Sequence, residues 1–170
     1  MPVETISNLS FLNFIYYFVT PIATAIGVFV AAFSVYRSTE SAKKRATIDM
    51  IVTERNDKCL QDAIRVVNDL AKDPGKIFAT YVSEEAEDKV TRQCIFKVLN
   101  QREFVSAGVM NGALHKEMYK NFSYSMFLRD WNNLKGFIYE LRKTRSAPTA
   151  FQEFETLAKK WEKKPLKVKH

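Results

Sequence analysis

Histidine occurs only at His115 and His170, and cysteine only at Cys59 and Cys94. No group of His, Cys and carboxylates stands at metal-ligand spacing, so the sequence offers no metal centre. Five glycines in 170 residues include neither a phosphate loop nor a dinucleotide fingerprint, each of which needs glycines at fixed offsets. Cys59 and Ser106 have no His close in sequence to act as base, and nothing marks either as a nucleophile. The expectation is a non-enzyme with no cofactor. No strand pattern, internal repeat or low-complexity segment occurs beyond a Lys-rich end.

A second absence is more informative. No Asp, Glu, Lys or Arg lies between Glu4 and Arg37, whereas a hydrocarbon core about 30 Å thick asks for roughly 20 apolar residues in helical form. Tyr16 and Tyr17 stand at one end and Tyr36 at the other, where aromatic rings favour membrane–water interfaces. A signal peptide would carry Lys or Arg ahead of a shorter apolar run; here Glu4 is the only early charge. A buried helix of a soluble protein seldom runs so far without a charge. The sequence therefore predicts a transmembrane helix over 11–36, a short extracytoplasmic N-terminus over 1–10, a cytoplasmic helical domain over 37–163 and a basic tail over 164–170. Arg37, Lys43, Lys44 and Arg45 flank the span on its C-terminal side, and the positive-inside rule puts the bulk of the chain in the cytoplasm, with the N-terminus outside.

The mean hydropathy is slightly negative even with the span included, so the remaining chain is strongly hydrophilic on its surface. Its pattern is all-α, one N-terminal transmembrane helix continuing into a small helical bundle. Ile48, Val52, Cys59, Ala63, Val67 and Leu70 recur mostly at helical steps, and predict one long amphipathic helix from the span to the turn at Asp73-Pro74-Gly75. Ser83 followed by Glu84 and Glu85 suits an N-cap with acidic residues in the first turn. The next helix runs through Val90, Cys94, Ile95, Val98 and Leu99 to Met110, and Asn111-Gly112 breaks it. A short helix is expected over 114–122, with His115 at the surface or as a cap. Phe127, Trp131, Leu134, Ile138 and Leu141 form the core stripe of a third long helix, which makes Trp131 core and not a ligand platform. After a linker at Ser146-Ala147-Pro148-Thr149, Phe151, Phe154, Leu157 and Trp161 form a last stripe. Both cysteines read as small core residues in a reducing compartment.

The net charge is +7, and nine Lys or Arg against three Glu after Leu141 supply most of the excess. Such a tail suits anionic lipid or nucleic acid, or is a solvated helix end. It lacks the interleaved aromatics of an RNA-binding platform.

Leu99-Asn100, Glu103-Phe104-Val105, Ala107-Gly108 and Met110, then Phe127-Leu128-Arg129-Asp130-Trp131 and Leu157-Ala158-Lys159-Lys160-Trp161, resemble an uncharacterised bacterial family. The resemblance covers roughly 44–163 and implies a single-anchor protein with a helical cytoplasmic domain of unknown function and no assigned active site. The layout is also similar to small membrane effectors of antiphage systems, including accessory proteins of type VI-B CRISPR loci and channel effectors paired with nucleotidyltransferases, an analogy of architecture alone. Arg55-Asn56-Asp57 opens like the Arg-to-His motif of HEPN ribonucleases, but no His follows at its spacing, and His115 lies thirteen residues after Arg102.

Within the span, Thr20, Thr24, Gly27, Ala31 and Ser34 step by four, three, four and three, and Ser38 and Ser41 continue the seam. Ala23, Gly27 and Ala31 add a small residue at every fourth position. In lipid, association is driven by close packing of small residues and by hydrogen bonds from Ser and Thr, not by the hydrophobic effect. The seam predicts a homo-oligomer, with Pro21 as a kink or constriction. The function expected is a membrane effector whose pore or channel permeabilises the inner membrane in antiphage defence (abortive infection), triggered by a nucleotide or oligonucleotide signal or by a defence-system protein. The alternative is a non-catalytic anchor or scaffold that recruits a cytoplasmic partner.

Overall fold

A computed structural model describes residues 14–83 and 88–167. The described residues are helical with no strand: a π-helical turn Ile15–Val19, then α1 Thr20–Asn56, α2 Lys58–Lys72, a 3-10 turn Phe78–Val82, α3 Lys89–Met110, α4 Lys116–Thr144 and α5 Gln152–Lys163. The chain divides into two compact units, one ending at Ala42 and the other beginning at Lys43.

In the first unit, one helix is long and apolar enough to cross a membrane. Every described side chain from Tyr16 to Thr39 is exposed. Pro21 has no N–H for the preceding turn, and its ring crowds the carbonyl four residues back; the wider π turn falls where that disturbance lies. Residues 1–10 and Phe11 to Asn13, part of the expected N-terminus and span, lie outside the described residues.

In the second unit the expected helix from the span to Asp73 is two helices. Asp57 leaves helical geometry at φ −72° and ψ 93°, and its carboxylate accepts the Leu60 N–H at 2.9 Å, starting α2 as an N-cap. Gln61 donates its side-chain amide to the Glu54 carbonyl at 2.8 Å, satisfying an acceptor that the end of α1 leaves open. The break also re-aims the apolar stripe. Leu60, Ala63, Val67 and Leu70 are buried, whereas Ile48, Val52 and Cys59 are exposed. Cys59 is therefore a surface thiol, not a core residue, and Cys94 is half-buried, with burial raising its pKa.

Asp88 caps α3, accepting the Thr91 N–H at 2.8 Å and the Thr91 hydroxyl. The Thr91 hydroxyl bond is the main reason its pKa falls below the usual carboxylate value. Ser83, expected to start this helix, instead ends the 3-10 turn, while Glu84 and Glu85 lie outside the described residues. Gly112, at φ +73°, follows α3 in the left-handed region that glycine tolerates. The short helix expected over 114–122 is the first part of the 29-residue α4. His115 caps it, its Nδ1 accepting the Met118 N–H at 3.2 Å. Ser123 does not interrupt it, because its hydroxyl turns back to the Tyr119 carbonyl at 2.8 Å.

Phe127, Trp131, Leu134, Ile138 and Leu141 are all buried, as are Phe154, Leu157 and Trp161. The rings of Phe127 and Trp161 lie 4.6 Å apart, those of Phe127 and Phe154 4.9 Å, and those of Trp131 and Phe154 5.6 Å. These distances suit edge and tilted aromatic packing, and they lock α5 onto α4. α3 packs against α2, α4 and α5, so it is the helix around which the bundle is built.

Candidate functional site

Two places combine unusual chemistry with a defined geometry, one in each unit. On the apolar helix, Thr24 donates its hydroxyl to the Thr20 carbonyl at 2.8 Å, so that hydroxyl is satisfied within the helix. Ala23, Gly27, Ala31 and Ser34 are exposed. A Cβ built at Gly27 meets nothing within 4 Å. The small residues of the seam thus lie on an exposed face of the helix. Tyr16, Tyr17, Thr20, Pro21, Thr24 and Ala25 line a shallow groove around the proline. At the other end the Arg37 guanidinium lies 5.5 Å from the Phe33 ring centre, a cation–π distance.

Beyond Ala42, Lys44 and Arg45 are exposed and Lys43 is half-buried. The Lys43 carbonyl accepts the Thr47 hydroxyl at 2.8 Å, and that oxygen accepts the His115 N–H at 2.8 Å, tying α1 to the start of α4.

The second place was not expected. Arg102 is 2% exposed. Its Nε donates to Asp130 Oδ2 at 2.9 Å and its Nη1 donates to Glu54 Oε1, so one guanidinium joins α3, α4 and α1. Asp130 also pairs with Arg129 at 3.4 Å, a residue about half exposed. Burial works to discharge Arg102, but the Tyr119 oxygen and the two carboxylates outweigh it, and its pKa stands above the ordinary arginine value. Burial likewise pushes the Tyr119 phenol up to about 12, and its hydroxyl has no hydrogen-bond partner. A narrow cleft opens onto this cluster between Arg55, Gln61, Phe122 and Met126, with the Arg55 guanidinium 4.7 Å from the Phe122 ring centre. Chemically, the cluster is a permanent cation held by two anions. It fixes helices. Among the described residues, no three of His, Cys, Asp and Glu are grouped to hold a metal ion.

A family model described as Domain of unknown function (DUF4760) matches residues 21–161. The chain belongs to this family. No curated protein and no solved structure matches the chain. The family's match begins at Pro21, so most of the apolar helix lies inside the shared domain and is not an appendage to it.

Several residues of the stretches that carry the family resemblance hold the fold together. Glu103 reaches from α3 to the start of α5, accepting the Glu153 N–H at 3.2 Å and the Phe154 N–H at 2.8 Å. It supplies the cap that Phe151, at φ +56°, does not. Gly108 leaves room for Leu114, whose Cδ1 would lie only 3.0 Å from an added Cβ. Leu157, Ala158 and Trp161 are core. The buried cluster had a sequence signal too: Asp130 interrupts the stripe between Phe127 and Trp131, and Arg102 sits three residues from Leu99 and from Val105. A charge on an apolar face marks a buried ion pair or a site.

Proposed function

We propose that the protein is a self-associating membrane effector: copies meet through the span seam, and the assembly opens a path across the bacterial inner membrane. The observation that carries this reading is that Thr20, Ala23, Thr24, Gly27, Ala31 and Ser34 are all exposed and stand at a spacing that suits helix packing. The hydroxyls line the path, and Phe and Val side chains form its dewetting gate. Arg37, Lys44 and Arg45 keep the bundle in the cytoplasm. The role in defence against phage, with a nucleotide, oligonucleotide or protein trigger, rests on the analogy of layout alone.

The test is membrane potential in cells expressing the full chain, parent against Gly27→Leu, with and without phage challenge. Depolarisation that the substitution abolishes supports the reading. Depolarisation that Gly27→Leu leaves unchanged, or none under any condition, overturns it.

A second reading, a membrane-held scaffold, is favoured by the way Glu54, Arg102, Asp130 and Glu103 are engaged in holding helices together. A scaffold keeps its activity when residues 18–36 are replaced by an unrelated single span; an effector that works through the seam loses it.

A further inference from the structure

The part of α1 that belongs to the bundle has two different faces. Thr47 and Glu54 are buried, and Met50 and Ile51 are half-buried against the core. On the other side Ile48 and Val52 remain 50% and 49% exposed. In sequence, Arg45, Ile48 and Val52 follow Ser41 by four, three and four residues, prolonging the spacing of the span seam. A repeat of this kind, seven residues with two inward positions, is that of helices packed side by side.

We infer that this face of α1 is a contact between adjacent copies of the chain, in which Ile48 and Val52 pack on their counterparts. The inference rests on the self-association reading above and adds to it a second interface, outside the apolar span. What identifies the occupant as another copy is charge. With Ile48 and Val52 at the two inward positions, Lys44 and Asp49 fall on opposite flanks of the seam. In a parallel pair, a residue on one flank meets the residue five positions later on the facing helix, so Lys44 of one copy meets Asp49 of the next. These flanking positions set partner choice and orientation. Both residues are exposed, and neither has an ion partner among the described residues of its own chain. The pairing is self-complementary, and an antiparallel neighbour does not reproduce it.

Arg45 occupies an inward position in the same repeat. One charged residue there fixes register at a cost in affinity, so the contact is held weak by design of sequence. The β-branched Ile48, at the position where leucine favours two strands, points to assemblies of more than two. α1 is already folded against its own bundle, so association orders few groups.

The experiment uses the full chain in membranes, with Cys59→Ser and Cys94→Ser removing the native thiols, and one new cysteine at a time: Ile48→Cys, Val52→Cys or, on an exposed part of the helix away from the seam, Thr53→Cys. A copper oxidant is expected to link copies through positions 48 and 52 about tenfold more than through 53, because only inward positions meet their counterparts. Lys44→Glu or Asp49→Lys alone is expected to lower linking at 52 about fivefold, since two exposed pairs are lost and made repulsive. The double exchange restores it. Equal linking at 53, or a double exchange that does not restore, overturns the inference. The mass of the parent in nanodiscs separates the two failures. An oligomer without linking at 48 and 52 leaves the span reading standing, and a monomer removes both.

Discussion

Arg102 pairs with two buried carboxylates, and its loss leaves Glu54 and Asp130 as buried anions in α1 and α4. Removing one partner from a buried ion cluster costs about 3–5 kcal/mol, and Arg102→Ala is expected to lower stability by that amount in thermal or denaturant unfolding. Arg129→Ala, at a residue about half exposed, is expected to cost less than about 1 kcal/mol. Tyr119 gives a test by pH. Its folded pKa is raised to about 12, so between pH 10 and 12 the folded state keeps a proton that the unfolded state has lost, and stability falls as pH rises through that window. The fall is about 2–3 kcal/mol over the full range. Below pH 10 this group contributes no slope. Tyr119→Phe is expected to remove the alkaline fall. Unfolding titrations of parent and variant at pH 8, 10 and 11.5 or so check this.

At the scale of elements, helix ends decide where the chain turns, and their caps come from different distances. Asp57, Asp88 and His115 cap their own helices. α5 instead borrows Glu103 from the middle of α3. Losing a cap costs about 0.5–2 kcal/mol, with a further contribution from a carboxylate at a helix start. Glu103→Ala is therefore expected to lower stability by about 1–2 kcal/mol and to speed amide exchange in α5 ahead of the rest of the bundle, which hydrogen-exchange mass spectrometry reads directly. Exchange that rises uniformly instead would mean that α5 does not open as a unit. A second clamp fastens the same helix: Glu155 lies 2.5 Å from both Arg142 and Lys159. Burial opposes its charge, the two cations outweigh burial, and its pKa is lowered. Its contribution is present at neutral pH and is lost as pH falls through the carboxylate range.

For the whole molecule, the apolar helix and the bundle pose separate questions of where the protein sits and what it holds. The full chain is expected to stay with membranes through an alkaline carbonate wash. Replacing the exposed Ile26 and Val30 with two aspartates is expected to release it, because a charge at the centre of a span costs about 2.5–3.5 kcal/mol. Retention of that variant would show attachment through the bundle. The family's domain spans parts of both units, matching residues 21–161.

The sequence determined the helical class, an N-terminal helix long and apolar enough to cross a membrane and the core stripe of α4, and it offered His115 as a surface residue or a cap. Each follows from spacing within one segment: hydropathy over one run, apolar residues at steps of three and four, a polar side chain beside the N–H groups it satisfies. Only the tertiary structure decided that α1 stops at Asn56, that Cys59, Ile48 and Val52 face outward, and that α4 begins before Tyr119 and runs to Thr144. These depend on which competing face or cap is chosen once the helices pack, a choice that no local pattern contains. The same holds for the Glu54–Arg102–Asp130 cluster and for Glu103 at the start of α5. Their members are 28 to 51 residues apart. A charge becomes a partner instead of a liability only when the fold brings its opposite to within hydrogen-bonding distance.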